Sequence, residues 1–161
     1  MATRTDARTF QCDLFLTKFI SKINSLNWMV DKELTLNGIV SRGMGEGTYF
    51  MSMKEYRNQI QNQLGFIAYP GTLNLITKKK QAESLKNLTP IRLSGFNSGK
   101  QAFGGASCYK AEIKDVEGAI IVPDFSRHKE DIIEFIAPVH LRSSLSLKDG
   151  DKVDIVLTWR K

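Results

Sequence analysis

Three glycines at alternate positions, Gly43, Gly45 and Gly47, lie in the stretch Gly38-Ile-Val-Ser-Arg-Gly43-Met-Gly45-Glu-Gly47-Thr-Tyr-Phe50. Glycine tolerates positive φ and leaves room for a phosphate or another chain to approach the backbone. Successive free N–H groups in such a loop form a concavity that suits anions. The stretch is not a Walker loop, because no Gly-Lys-Ser/Thr follows it. Nor is it a dinucleotide fingerprint, because position 48 is threonine rather than glycine. On pattern alone it is either a bulged hairpin or a nucleotide cradle.

Two further groups could carry chemistry. Thr72 and Asn74 are two residues apart on an expected strand, so both face one side while Leu73 and Leu75 face the core. A hydroxyl and a carboxamide oxygen are hard, neutral ligands, enough for a Mg²⁺ ion whose charge is already met by phosphates. The alternative is a polar pair on a wet sheet face. Glu134 shares a strand face with Ile132 and Ile136, while Ile133 and Phe135 take the other. A carboxylate so flanked must be paired, hydrogen-bonded or protonated. It is therefore a ligand-contacting acceptor or general base, or else half of an ion pair. Ser126 offers a helix cap or a hydroxyl donor. Arg142, after Val139, His140 and Leu141, offers a phosphate clamp or the basic end of a turn.

The elements that must position these groups follow from periodicity. Phe10 to Trp28 repeats apolar residues at three- and four-residue steps and reads as a helix, in an N-terminal extension over 1–33. That extension is too short for a helix-turn-helix unit. Leu34–Ser41 reads as the strand entering the glycine loop, and Thr48–Met51 as the strand leaving it. Ser52-Met-Lys-Glu55 matches a capping box, and Met53, Tyr56, Ile60 and Leu64 form one helical stripe ended by Gly65. Tyr69-Pro-Gly71 is a turn signal with Gly71 free to be left-handed, and Thr72–Ile76 a strand. Residues 77–90 read as irregular. Strands are expected at Ile91–Leu93 and Phe103–Ile113, with a loop from Ser94 to Gln101 between them. Gly118–Pro123, Asp131–Pro138 and Val153–Trp159 are further strands. Leu141–Leu145 reads as one helical turn and Lys148–Asp151 as a tight turn. Many short strands with one good internal helix point to a small β-barrel, in a domain over 34–161.

Bulk properties narrow the classes. Hydrophobic residues make up 42% and charged residues 25%, ordinary values for a globular protein. No apolar run approaches the ~18 residues that cross a bilayer, and Lys18 and Lys22 interrupt the first apolar stretch, against a secretory signal. Cys12 and Cys108 suggest no disulfide scaffold, and two histidines make no metal set. We expect a cytoplasmic monomer with no membrane contact. The net charge of +6 and pI near 9.4 attract polyanions, nucleic acid or a nucleotide.

The ordered series of motifs resembles the archaeal CTP-dependent riboflavin kinases. It runs from Gly43-Met-Gly-Glu-Gly47-Thr-Tyr-Phe through Leu64-Gly-Phe to Tyr69-Pro-Gly-Thr-Leu-Asn-Leu75. It continues in Gly118-Ala-Ile-Ile-Val-Pro123, Ile132-Ile-Glu134, Ala137-Pro138, Leu141-Arg142 and Leu147-Lys-Asp-Gly-Asp151. The resemblance covers about residues 36–158. It implies a mainly β fold, a six-stranded cradle-loop-type barrel with an internal helix, and an extra N-terminal helix. It implies that Gly43, Met44, Gly45, Glu46, Gly47 and Thr48, with Val139, His140, Leu141 and Arg142, contact the nucleotide. Thr72 and Asn74 would coordinate Mg²⁺, and Ser126 and Glu134 would contact the flavin. The implied reaction moves the γ-phosphoryl of CTP to the 5′-hydroxyl of riboflavin, giving FMN and CDP. Relatives can carry threonine where Ser126 stands, and a basic residue where Thr48 stands, a contact Arg42 would then have to supply. The glycine-rich Phe96–Gly105 segment matches nothing in that pattern.

Two alternatives stand beside this one. A nucleic-acid-binding barrel would explain the basic pI, although no strand interleaves aromatics with arginines, and no nucleic-acid partner is expected. A riboflavin-binding module without catalysis would not need Thr72, Asn74 and an intact glycine loop.

Overall fold

The computed structural model describes residues 34–125 and 131–158. The helix expected over 10–28, Ser126 and Trp159 lie outside the described residues. In chain order the first half runs β1 (Thr35–Ser41), α1 (Glu46–Ser52), α2 (Lys54–Leu64), β2 (Leu73–Ile76) and α3 (Lys79–Ser84). Next come the short strands β3 (Ile91–Leu93), β4 (Phe96–Ser98) and β5 (Gln101–Phe103). The remainder is β6 (Ala106–Ile113), β7 (Val116–Pro123), β8 (Ile132–Ile136), α4 (Leu141–Ser144) and β9 (Lys152–Leu157).

Six of these strands close an antiparallel barrel in the order β6-β7-β8-β2-β1-β9. The ring shuts where β9 returns to β6, pairing Leu157 with Ala111 and Val156 with Glu112. The other half of β6 carries β3, with Leu93 opposite Ala106. The strands form because their apolar residues alternate, as in β1, where Leu36, Gly38 and Val40 are buried and their neighbours face outward. Leu36, Val40, Leu75, Ile120, Phe135 and Ile155 fill the interior. Each fully buried side chain of this kind contributes about 1.5–3 kcal/mol.

A second apolar layer lies on the barrel's outer wall. There α2 lays Ile60 and Leu64 against Cys108, Ala119, Ile121 and Ile136. The helix ends as its sequence requires: Gly65 has φ 88° and donates its N–H to the carbonyls of Ile60 and Gln61. Burial pushes the Cys108 thiol up to about 12. Among the described residues no helix is long and apolar enough to cross a membrane.

Several local expectations are corrected. Residues 48–51 leave the glycine loop as helix α1, not as a strand. Gly45, at φ 82°, turns the chain, and the helical course then buries Met51 while Tyr49 stays exposed. The capping box does not form, because extended Met53 caps α2 and Ser52 Oγ donates to the Thr48 carbonyl at 2.6 Å. Residues 77–90 contain α3 and a 3-10 turn, Leu85–Asn87, which buries Leu85. The expected loop at 94–101 is largely the β4–β5 hairpin, and the chain breaks at Gly104-Gly105 before β6. Gly71 donates to the Tyr69 carbonyl at 2.8 Å without adopting positive φ.

Candidate active site

Ser41, Asn74, Glu134 and Ile121 are successive cross-strand partners on β1, β2, β8 and β7. Direct antiparallel partners share a face. Leu73, Leu75, Ile133 and Phe135 take the interior, so this row lies on the outer wall. The α2 layer covers its Ile121 end. The glycine loop folds over the other end.

Each glycine of the loop answers a different requirement. A Cβ on Gly43 would collide with the Asn74 carboxamide, and one on Gly47 with the Thr72 hydroxyl. Gly45 meets nothing within 4 Å but holds φ 82° at the start of α1. The loop and the Thr-x-Asn pair are thus in direct contact. Asn74 is only 7% exposed, and its Oδ1 is buried without a hydrogen-bond partner among the described residues. An orphaned acceptor is costly to maintain. With the Thr72 hydroxyl two positions earlier, it fits a hard cation that brings its own anions. No group of three His, Cys, Asp or Glu suited to a metal exists among the described residues.

Two cavities flank this contact. The first, of about 310 Å³, is bounded by residues 43–48, the Tyr69–Asn74 segment, Glu134 and residues 139–142. The second, of about 340 Å³, is lined by Phe50, Met51, Tyr56, Phe103, Ile121 and Phe125 among others. Met44, Glu46, Gly47, Thr72 and Glu134 belong to both walls. Such volumes suit small-molecule ligands, and the apolar, aromatic lining of the second suits a flat ring system.

The second cavity is built by the segment whose sequence matched no motif. Phe96 stacks on Phe103 at 5.0 Å and meets Tyr56 edge-on at 4.9 Å. The Tyr56 hydroxyl donates to the Gly104 carbonyl, and burial raises its pKa, with the Asp124 charge adding to the shift. A Cβ on Gly104 would strike the Phe125 ring. Arg92 donates to both carboxylate oxygens of Asp124, at 2.8 and 2.7 Å, and holds that carboxyl below its ordinary range.

Residues 139–142 border the first cavity in unlike ways. Val139 and His140 are exposed, and the His140 ring lies 5.0 Å from that of Tyr69, with its Nδ1 2.6 Å from Ser143 Oγ. Leu141 buries its side chain in the barrel interior, leaving its main chain to the cavity. Arg142 Nη2 donates to the Ser41 carbonyl at 2.8 Å and pairs with Asp149 at 2.7 Å. Asp149 also accepts from Arg42 Nε at 3.1 Å. Hydrogen bonding from Arg142, then from Arg42, holds the Asp149 carboxyl below its ordinary range.

A family model named for CTP-dependent riboflavin kinase, and described as "Domain of unknown function DUF120", matches residues 40–157. The chain belongs to this family. A riboflavin kinase of Methanosarcina acetivorans is 42% identical over 123 residues, covering 74% of this chain and 52% of the relative. One from Pyrobaculum calidifontis is 41% identical over 138 residues, 82% of this chain and 64% of the relative. One from Ignicoccus hospitalis is 38% identical over 132 residues, 80% and 74% respectively. The chain thus spans from about half to under two-thirds of the first two relatives.

Within this family member, the residues singled out from sequence, Ser126 apart because it lies outside the described residues, converge on one place. Gly43 through Thr48, Thr72, Asn74, Glu134 and residues 139–142 all line the first cavity. The sequence pattern gave no site role to Tyr56, Tyr69, Phe125 or Asp149. Asp149 left one signal, since it lies in the Leu147-Lys-Asp-Gly-Asp151 motif, which carried no assigned role.

Proposed function

We propose that this chain is a riboflavin kinase domain that transfers the γ-phosphoryl group of CTP to the 5′-hydroxyl of riboflavin. The observation that carries the proposal is the wall shared by the two cavities. A phosphate donor in the first and a ring-bearing acceptor in the second would meet at Gly47, Thr72 and Glu134.

In the transfer, the acceptor oxygen forms a bond to the γ-phosphorus as the bond to CDP breaks. Catalysis of such a step is mostly positioning and charge stabilisation. The glycine-loop amides are the natural partners for the phosphate oxygens, since residues 43–48 border the first cavity and the three glycines among them carry no Cβ of their own. Thr72 and Asn74 would hold Mg²⁺, supported by the orphaned Asn74 Oδ1. Bound there, Mg²⁺ would supply positive charge to the polyphosphate. Glu134, common to both walls, orients the acceptor by accepting a hydrogen bond from its hydroxyl and is the candidate base for its proton. Phe50, Phe103 and Phe125 offer apolar surface to the flavin ring. CTP as the donor rests on the family's name. A cytoplasmic monomer completes the proposal, in keeping with a free, buried Cys108.

The test is to mix the protein with riboflavin, Mg²⁺ and each nucleoside triphosphate in turn and to assay FMN. FMN with CTP well above ATP is expected. No FMN with any triphosphate would overturn the proposal.

A further inference from the structure

The first cavity has a neighbour that the kinase reaction does not explain. Arg42, Gly43, Arg142, Leu147, Lys148 and Asp149 border a shallow, open recess that meets the cavity at Gly43 and Arg142. At its centre one carboxylate, Asp149, engages two arginines, through Oδ1 with Arg142 and Oδ2 with Arg42. Arg42 is the residue immediately before Gly43. Arg142 reaches back to the carbonyl of Ser41, the last residue of β1.

The turn that carries Asp149 is itself fixed to β1. Gly150 donates its N–H to the Val40 carbonyl, and Val40 donates to the Asp151 carbonyl, both at 2.8 Å. Within the turn, the Lys148 N–H donates to Asp151 Oδ2 at 2.7 Å, and Gly150 adopts φ 93°. The Asp149 carboxylate thus stands on a rigid base beside the point where β1 ends and the glycine loop begins. Arg42 to Met44, where the loop begins, form no strand or helix.

We infer that Asp149 is a positioning residue for the nucleotide, setting the entrance of the glycine loop through Arg42 and the α4 arginine through Arg142. The inference rests on the nucleotide occupying the first cavity, as proposed above. It assigns a role to the Lys148–Asp151 turn. Its sign is distinctive. Asp149 carries negative charge beside a site for a polyanion, so simple electrostatics would have its removal tighten CTP binding. Positioning requires the opposite, because two unpaired arginines repel each other and no longer hold the loop and α4 together.

The experiment titrates the full chain with Mg²⁺–CTP, and separately with riboflavin, and follows thermal unfolding of each variant. Asp149→Ala should weaken CTP binding about tenfold and leave riboflavin within about twofold, as expected for a displaced loop. Asp149→Glu should recover most of that loss, showing that the fold is intact and that a carboxylate is required. In an Arg142→Gln background, Asp149→Ala should add much less than its own penalty, because the two act as a unit. CTP binding at or above wild-type strength in Asp149→Ala would overturn the inference. So would equal losses for CTP and riboflavin, or full additivity with Arg142→Gln. Wild-type protein that binds riboflavin but no CTP would defeat the nucleotide assignment itself, and the inference with it.

Discussion

Gly43 lies against the Asn74 carboxamide so closely that no side chain fits between the glycine loop and β2. This contact joins the two features a triphosphate would need, a glycine-rich loop bordering the first cavity and an oxygen ligand for its metal. It gives the first prediction. Gly43→Ala must push the loop or Asn74 aside, at about 1–3 kcal/mol of stability, and should weaken CTP binding at least about tenfold. Gly45→Ala meets open space and carries only the strain of left-handed backbone, about 1–2 kcal/mol. Urea unfolding with CTP titration separates the two. Gly43→Ala should lose more binding per unit of stability lost.

Asn74 is the second. Its Oδ1 is buried with no partner among the described residues, so its removal breaks no hydrogen bond at that atom. Asn74→Ala should change unfolding free energy by no more than about 1 kcal/mol. Turnover should fall by about a hundredfold or more, the scale seen when one transition-state contact is removed. Activity like wild type at limiting Mg²⁺ would remove Asn74 as a ligand.

Glu134 gives the third prediction. Paired across the strands with Asn74 on one side and Ile121 on the other, it lines both cavities. Glu134→Gln keeps the size and loses the charge. Riboflavin binding should weaken by about tenfold and CTP binding by much less, as expected for loss of a charged hydrogen-bond partner. Isothermal titration with each ligand checks this, and equal losses would contradict it.

The Arg92–Asp124 pair predicts an acid limb of stability. Asp124 is held below its ordinary range chiefly by hydrogen bonding from Arg92. A lowered carboxylate contributes stability that is present above its unfolded-chain pKa and lost as pH falls through the lowered value. Asp124→Asn should therefore cost stability at neutral pH and flatten the decline on the acid side of the ordinary aspartate range. Both partners are partly exposed, so the neutral-pH cost should be small. Chemical denaturation from pH 7 down to strong acid reads both.

How much of this was legible in the residues can be traced element by element. Strands with alternating apolar residues, such as β1 and β9, announced themselves, because one face had to be buried. Gly65 and the Lys148–Asp151 turn did so through backbone needs that few other residues meet. Thr48-Tyr-Phe-Met51 misled, because aromatic and β-branched residues favour strands, yet left-handed Gly45 and the burial of Met51 make the segment helical. The Phe96–Phe103 hairpin was hidden because its aromatic cluster forms only against Tyr56, far away in sequence. The site residues were legible as types in an order. The nearness of Gly43 to Asn74 and of Gly47 to Thr72 was not, since it depends on how β1 and β2 pair.

The most direct test of the central claim uses isotope-labelled protein with CDP and Mn²⁺, a paramagnetic substitute for Mg²⁺, observed by NMR. A diphosphate on the loop amides, with its metal held by Thr72 and Asn74, should broaden the Asn74 side-chain amide and the amides of Gly43, Gly47 and Thr72 first. The resonances of β3 and α3 should stay sharp. Broadening centred elsewhere, with those four groups unperturbed, would contradict the assignment of this outer-wall contact as the phosphoryl-transfer site.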